Sequence, residues 1–342
     1  MTEYNINQQF TLLERAKRSA DGKTILPVLD VMDKMGADGF LQDVPFYPCN
    51  QGLKERIIRN TSRPAPTRRA FYAGVGSSMM TTQVLFENVI LFEARRAIDE
   101  DELNTVENPD EIRRTEDEAK IKGIIDEVVK AIFVDARSTG SLYFDGLITR
   151  ASTLSYPHHT TETLPYCWNN GGSSASTLCS VWVVEWGKRA CYGLYPSGNA
   201  VRGARLGIIA KNKGLEPKAD TTDTTLTYYN DVAQFKMWCG LAIADDRKFF
   251  RIANVSHDKT SAYAFNDDLL IEALNHAKIN RAAARMYVNP YVATQIDIRA
   301  KDKTNVNWST NEIFGKPVRT FLGLPIRVLD ETILTGTESA IG

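Results

Sequence analysis

Apolar residues recur at helical spacing in a few stretches of the chain and at strand spacing over much of the rest. In residues 24–35, Ile25, Val28, Leu29, Val31, Met32 and Met35 fall on one helical face, and a shorter stretch at 11–18 carries Leu12, Leu13 and Ala16 between charges. These pieces are too short to form a domain and must lie against something else, as an arm would. The strongest helix opens at Asn108-Pro109-Asp110, where proline and acids suit the positive end of a helix dipole. Ile121, Ile124, Ile125, Val128, Val129 and Ile132 form its apolar stripe, with Glu118, Lys122, Asp126 and Lys130 outside. The pattern predicts a helix of about 23 residues, roughly 35 Å long, that Gly123 weakens a little. A further helix at 266–279 opens on Asn266-Asp267-Asp268, and a short one at 291–300 follows Pro290.

Strand patterns occupy 177–186, 190–195, 226–243, 248–252, 285–288 and 324–329, separated by turn residues. The runs at 226–243 and 248–252 read as paired strands divided by Asp245-Asp246. Helix, strands, helix, strands is the order of an α+β fold, not of alternating βαβ units.

Residues 44–80 behave differently. Candidate strands at 53–60 and 68–73 flank a Pro64-Ala65-Pro66 tip. Proline fixes φ and pushes the preceding residue into extended geometry, so this reads as a long hairpin. Between Gln51 and Tyr72, Lys54, Arg56, Arg59, Arg63, Arg68 and Arg69 stand against Glu55, a net charge of +5. Arms this polar cannot pack both faces into their own core. Ten residues of each arm would project about 33 Å, past the ~20 Å radius of gyration of a compact chain of this length. The hairpin should reach beyond its own domain. After a strand-like stretch at 81–92 the sign reverses. From Ile98 to Glu118, ten acids including Asp99, Glu100, Asp101, Glu102, Asp110 and Glu111 face only Arg113 and Arg114, a net charge of −8.

Composition narrows the function mainly by exclusion. The 342 residues suffice for one large domain or two ordinary ones, and 43% hydrophobic with 24% charged residues is the balance of a folded chain. With 41 basic and 42 acidic side chains the net charge is −1, unlike a protein whose main task is gripping nucleic acid. No apolar run approaches the ~20 residues of a membrane span, and Met1 to Phe10 lack a secretion-signal pattern. The five cysteines (Cys49, Cys167, Cys179, Cys191 and Cys239) are odd in number with no C-x-x-C pair, which fits reduced, buried thiols and cytosolic synthesis.

Chemistry-bearing motifs are sparse. His158-His159 and Cys167 could suggest a hydrolase or transferase dyad or a metal site, but a metal needs three or four ligands at fixed spacing, and two polar loop histidines are the simpler reading. Residues 72–78 hold a G-x-G without the third glycine, the lysine or the following helix of a phosphate cradle. Trp182, Trp186, Tyr192 and Tyr195 read as strand core instead of a stacking platform. No catalytic residue, cofactor or metal is expected.

A collinear set of phrases carries a family resemblance: TLLERAKR and LPVLDVM in the arm, the basic hairpin before residue 80, the helix from Pro109 to Phe133, and then FDGL. There follow SVWVVEWGKRACYGLYPSG, FKMWCGLAIADDRKFFRIANV and the closing FLGLPIRVLDE. In this order they resemble major capsid proteins of tailed bacteriophages with the Hong Kong 97-type fold, podophages in particular. The resemblance implies an N-terminal arm (1–43), an extended E-loop (44–80), a peripheral domain (81–163) with a spine helix (109–133), and a mainly axial domain (164–265). Residues 266–342 would return between the two domains.

It further implies self-assembly in hexamers and pentamers into an icosahedral shell around packaged double-stranded DNA, touched without sequence specificity. A tail or baseplate component is the alternative within the same class. With no separate N-terminal scaffolding segment evident, the resemblance points to a separate scaffolding protein, alongside a portal protein and, where the particle carries one, a decoration protein. The expected location is the virion capsid after synthesis in the host bacterial cytoplasm, with no membrane. The two charge runs add a contact between copies: Lys54, Arg56, Arg59, Arg63, Arg68 and Arg69 of one against Asp99, Glu100, Asp101, Glu102, Asp110 and Glu111 of its neighbour.

Overall fold

The computed structural model describes residues 37–155, 164–173, 177–198, 206–219, 225–300, 308–313 and 316–341. The helical patterns at 11–18 and 24–35 and the pair His158-His159 lie outside the described residues. In chain order the first elements are α1 (Ala37–Asp43), β1 (Phe46–Pro48), β2 (Lys54–Ser62), β3 (Thr81–Asn88), β4 (Ile90–Asp99), α2 (Glu100–Asn104), α3 (Pro109–Val134), α4 (Leu147–Arg150), β5 (Tyr166–Asn169) and β6 (Leu178–Glu185). Next come β7 (Cys191–Tyr195), β8 (Ile209–Ala219), β9 (Thr227–Ile243), β10 (Phe249–Ser256), α5 (Asp267–His276), β11 (Ala284–Val288) and α6 (Pro290–Ala300). The last are β12 (Trp308–Ile313), β13 (Lys316–Phe321) and β14 (Leu324–Val328). The chain forms two compact units, one of Leu91–Val128 and Leu206–Trp238 among the described residues, the other of the remainder.

The larger unit is built on a seven-stranded sheet in the order β12-β13-β14-β11-β6-β10-β5. The near-continuous apolar run of β6 is explained by its place: β10 and β11 flank it, and the strand is covered on both faces. Side chains alternate across it. Val181 and Val183 join Trp168, Phe250, Ile252 and the apolar stripes of α5 and α6 in one core. Trp182 meets Phe133, which packs on Phe40 and Tyr287 at ring-centroid distances of 5.2 and 5.9 Å. Each such large buried side chain contributes about 1.5–3 kcal/mol of transfer free energy. Asn266 caps α5 by accepting from the Asp268 N–H. Leu322 and Gly323, at φ of 48° and 81°, form the tight two-residue turn that joins β13 to β14.

Two strand expectations are corrected. β9 and β10 do not pair: β9 pairs with β7 and β8, whereas β10 pairs antiparallel with β6 and parallel with β5. Asp245 accepts from the Arg247 N–H and opens a single 3-10 turn, which redirects the chain into the other sheet. The hairpin's returning arm is not 68–73 but β3, Thr81–Asn88. Pro64 and Pro66 remove ladder donors and Gly74 and Gly76 favour turns, so regular pairing stops at Ser62 and resumes at Thr81.

The smaller unit centres on β8, the first part of β9, and β4 beside β9. Ile98, Leu103, Val106 and Ile112 form its apolar cluster. Buried Arg96 reaches Asp117 at 3.2 Å and Asp231 at 3.6 Å, and Asp231 also accepts from Arg113 at 2.6 Å. Burial raises the pKa of Asp117 despite the neighbouring Arg96. Among the described residues β8 pairs only with β9. Its outer edge carries Lys211, Lys213, Pro217 and Lys218 and a bulge at Gly214, whose φ is +76°.

Two glycines give opposite expectations. A Cβ at Gly240 would stand 2.4 Å from the Asn88 carbonyl oxygen, a backbone atom at the foot of the hairpin. Gly240→Ala should therefore destabilise the protein by about 1–3 kcal/mol in urea unfolding. Gly123, inside α3 with open space around it, should instead gain up to about 1 kcal/mol as alanine. Equal effects of the two substitutions would contradict this packing.

Candidate functional site

Strand alternation divides the hairpin into two faces. β2 and β3 pair antiparallel, with Arg56 opposite Phe86, Ile57 opposite Leu85 and Ile58 opposite Val84. Successive side chains point to opposite sides. Glu55, Ile57, Arg59, Leu85 and Glu87 therefore share one face, and Lys54, Arg56, Ile58, Val84 and Phe86 share the other.

The first face meets its own unit. Arg150 donates to both oxygens of the buried Glu87 carboxylate at 2.8 and 2.7 Å, and Arg137 approaches it at 3.5 Å. Arg59 holds Asp246 through two donors at 2.5 and 3.1 Å and also donates to the Ile243 carbonyl. The Tyr192 hydroxyl donates to Glu55 at 3.3 Å. Ile57 is the buried apolar residue of this face. A cavity of about 300 Å³ lies at this foot, bounded by the three arginines and by Glu87, Asp145 and Asp246. The seat of the hairpin on its own unit is thus mainly ionic.

Beyond the seat the hairpin is open to solvent. Thr81 bonds through its hydroxyl to those of Thr61 and Ser62, at 2.8 and 2.6 Å, and closes the paired arms. Residues 63–80 are exposed throughout, including Phe71, Tyr72 and Met79. Of the six basic residues singled out by sequence, Lys54, Arg56, Arg63, Arg68 and Arg69 are exposed, whereas Arg59 is taken up by Asp246 of its own chain. The apolar outward positions, Ile58, Val84 and Phe86, went unnoticed in the sequence because they are spaced among charges. Their period of two against Ile57 and Leu85 was the available signal.

The acidic run serves partly as helix starts. Asp99 caps α2 by accepting from the Asp101 N–H at 2.9 Å, Glu100 and Asp101 stand in the first turn, and Glu102 is buried. Asp110 and Glu111 begin α3, where the helix dipole favours negative charge. Glu100, Asp110 and Asp231 line a groove of about 460 Å³ in the smaller unit with Arg113 as its cation.

All five thiols are buried, with no disulfide. Cys167 is pushed up to about 11, and Cys49, Cys179 and Cys239 to about 12, in each case first by desolvation. Among the described residues no group of three or more His, Cys, Asp or Glu could hold a metal ion, and no helix is long and apolar enough to cross a membrane. Trp182, Trp186 and Tyr192 are buried in strand contacts.

A family model described as major capsid protein GP7 matches residues 20–341. The chain belongs to this major capsid protein family. A chain of the near-atomic structure of bacteriophage Epsilon15 aligns over 99% of both chains with a TM-score of 0.74 at 19% identity. A chain of the bacteriophage JBD30 capsid aligns over 96% of both with a TM-score of 0.49 at 11% identity. A chain of the holo-SrpI encapsulin complex from Synechococcus elongatus PCC 7942 covers 73% of this chain and 96% of its own, with a TM-score of 0.42 at 11% identity. No curated protein matches the sequence. The α+β fold is the Hong Kong 97-type fold of phage capsids, and the protein is a structural, shell-forming component of the virion capsid.

Two outcomes test the geometry of this capsid protein. Glu87→Gln removes the whole carboxylate charge and turns one of the two acceptor oxygens facing Arg150 into an amide N–H donor. Arg150 is then left uncompensated in a buried site, and the change should cost about 3–5 kcal/mol in chemical denaturation. The folded thiols should stay unreactive toward a disulfide reagent at pH 8. Because burial raises their folded pKa, the stability they favour is full below the unfolded thiol value of about 8.5. It is lost as pH rises toward 11–12. Rapid labelling of the native chain, or stability that climbs between pH 9 and 11, would contradict the burial.

Proposed function

We propose that this capsid protein tiles an icosahedral shell in which the hairpin acts as the E-loop, laid by each copy across a neighbour. The shell is built from hexamers and pentamers around double-stranded DNA. The observation that carries the reading is the tip at 63–80, where solvent-exposed aromatic and methionine side chains stand among Arg63, Arg68 and Arg69. Exposed apolar surface of this kind marks an interaction site. Its acceptor is the acidic smaller unit of the next copy, where Asp101 and Asp110 are exposed and Glu100 and Glu111 half-buried.

Individual surface ion pairs contribute about 0–1 kcal/mol each. Repeated around a shell they fix register and partner choice more than affinity. A net charge of −1 suits a wall that must neither trap DNA nor repel its own copies strongly. Assembly in the host cytoplasm is guided by a separate scaffolding protein and completed at a portal, with decoration protein added where the particle carries it.

Reversing Arg56, Arg63, Arg68 and Arg69 to Glu tests the contact. Arg59 is left intact because it seats the hairpin on its own unit. Co-expressed with the cognate scaffolding protein and viewed by negative-stain electron microscopy, the variant should give folded subunits with an unchanged melting temperature and no shells. Normal shells would overturn the proposal.

A further inference from the structure

We infer that the copy-to-copy contact of the hairpin is anchored by the outward ladder Ile58, Val84 and Phe86, with the basic residues acting as its rim. The inference rests on the proposed hairpin contact and assigns its energetic centre.

A subunit that forms a shell must bury surface against other copies. Among the described residues, twenty large hydrophobic side chains are exposed, and nine of them (Leu53, Ile58, Phe71, Tyr72, Val75, Met79, Met80, Val84 and Phe86) fall within positions 53–88. That concentration selects the hairpin as the surface to be covered. Within it, the paired arms are the part held by a ladder of backbone hydrogen bonds. Ile58 lies directly opposite Val84, and Phe86 follows on the same face opposite Arg56. Their exposures are 61, 38 and 49%. The three thus form one apolar strip on a hydrogen-bonded ladder whose backbone is already fixed, so ordering it on binding costs little further entropy.

The strip is rimmed by Lys54 and Arg56, both exposed, and leads toward Arg63 at the tip. An apolar centre with a charged rim is the anatomy of an interface whose affinity comes from its middle. The rim's sign identifies the occupant as a surface of opposite charge, and this chain carries one in residues 98–118 at a net −8. The occupant is therefore a second copy of the chain.

The two faces of the hairpin then respond differently to salt. The inner face is seated by Arg59–Asp246 and Arg150–Glu87, and the outer face by apolar contact. At 1 M salt the screening length falls to about 3 Å, which weakens the exposed charges of the rim and leaves the apolar strip in force. Preformed shells should accordingly persist in 1 M NaCl.

The test uses the full-length chain with its scaffolding protein. Ile58→Thr/Val84→Thr/Phe86→Thr keeps strand-compatible residues at solvent-facing positions, so the subunit should fold with an unchanged melting temperature. Shell yield should fall by about tenfold or more. Independently, Val84→Cys places a single reactive thiol on a background of buried ones. A bulky maleimide should label it in free subunits and about tenfold more slowly in shells. Normal shells from the threonine variant, with shells still lost on arginine reversal, would overturn the anchor while leaving the hairpin contact in place. Normal shells from both variants would remove the hairpin contact itself. Equal labelling of Val84→Cys in subunits and shells, or no labelling of free subunits, would also overturn the anchor.

Discussion

Everything the hairpin does depends on where it leaves the body, and that point is set by Arg150 closing on the buried carboxylate of Glu87. A buried charge without its partner is far more costly than an exposed one, so the pair fixes the foot of β3 firmly. Arg59 and Asp246 do the same for β2. Gly240 allows the backbone at Asn88 to approach β9 more closely than any side chain would permit. With its foot held in this way, the hairpin can extend into solvent without a core of its own.

Charge therefore does two distinct jobs in this chain. Inside, it locates elements: Arg96 joins β4 to Asp117 of α3 and Asp231 of β9, and Arg251 sits among Ser180, the Ala151 carbonyl and Glu338. Outside, it is spread as two runs of opposite sign. The acidic run is less uniform than its count of carboxylates, because Asp99 is a helix cap and Glu102 is buried.

Much of the fold was legible in the chain because long periodic segments speak clearly. The helix from Pro109, the buried strand at 178–185 and the Asn266 cap all appear where the pattern places them. The misses have physical causes. β8 is polar along most of its length and gives no apolar alternation. β5 has only four residues. The partners of β10 are non-local, and proximity in sequence to β9 was the wrong guide. At the hairpin, the basic charge was readable but its division between faces was not. Arg59 and Arg56 look alike in sequence, and only the pairing register separates the residue that seats the hairpin from the one left outside.

The outer edge of β8 has a consequence for how such a molecule survives being crowded. A strand edge with free backbone donors and acceptors is a template for the next chain. Here lysines, a proline and the kink at Gly214 spoil that template. Copies held close together in a shell would otherwise have an easy route into off-pathway fibres. Blunting this edge closes that route.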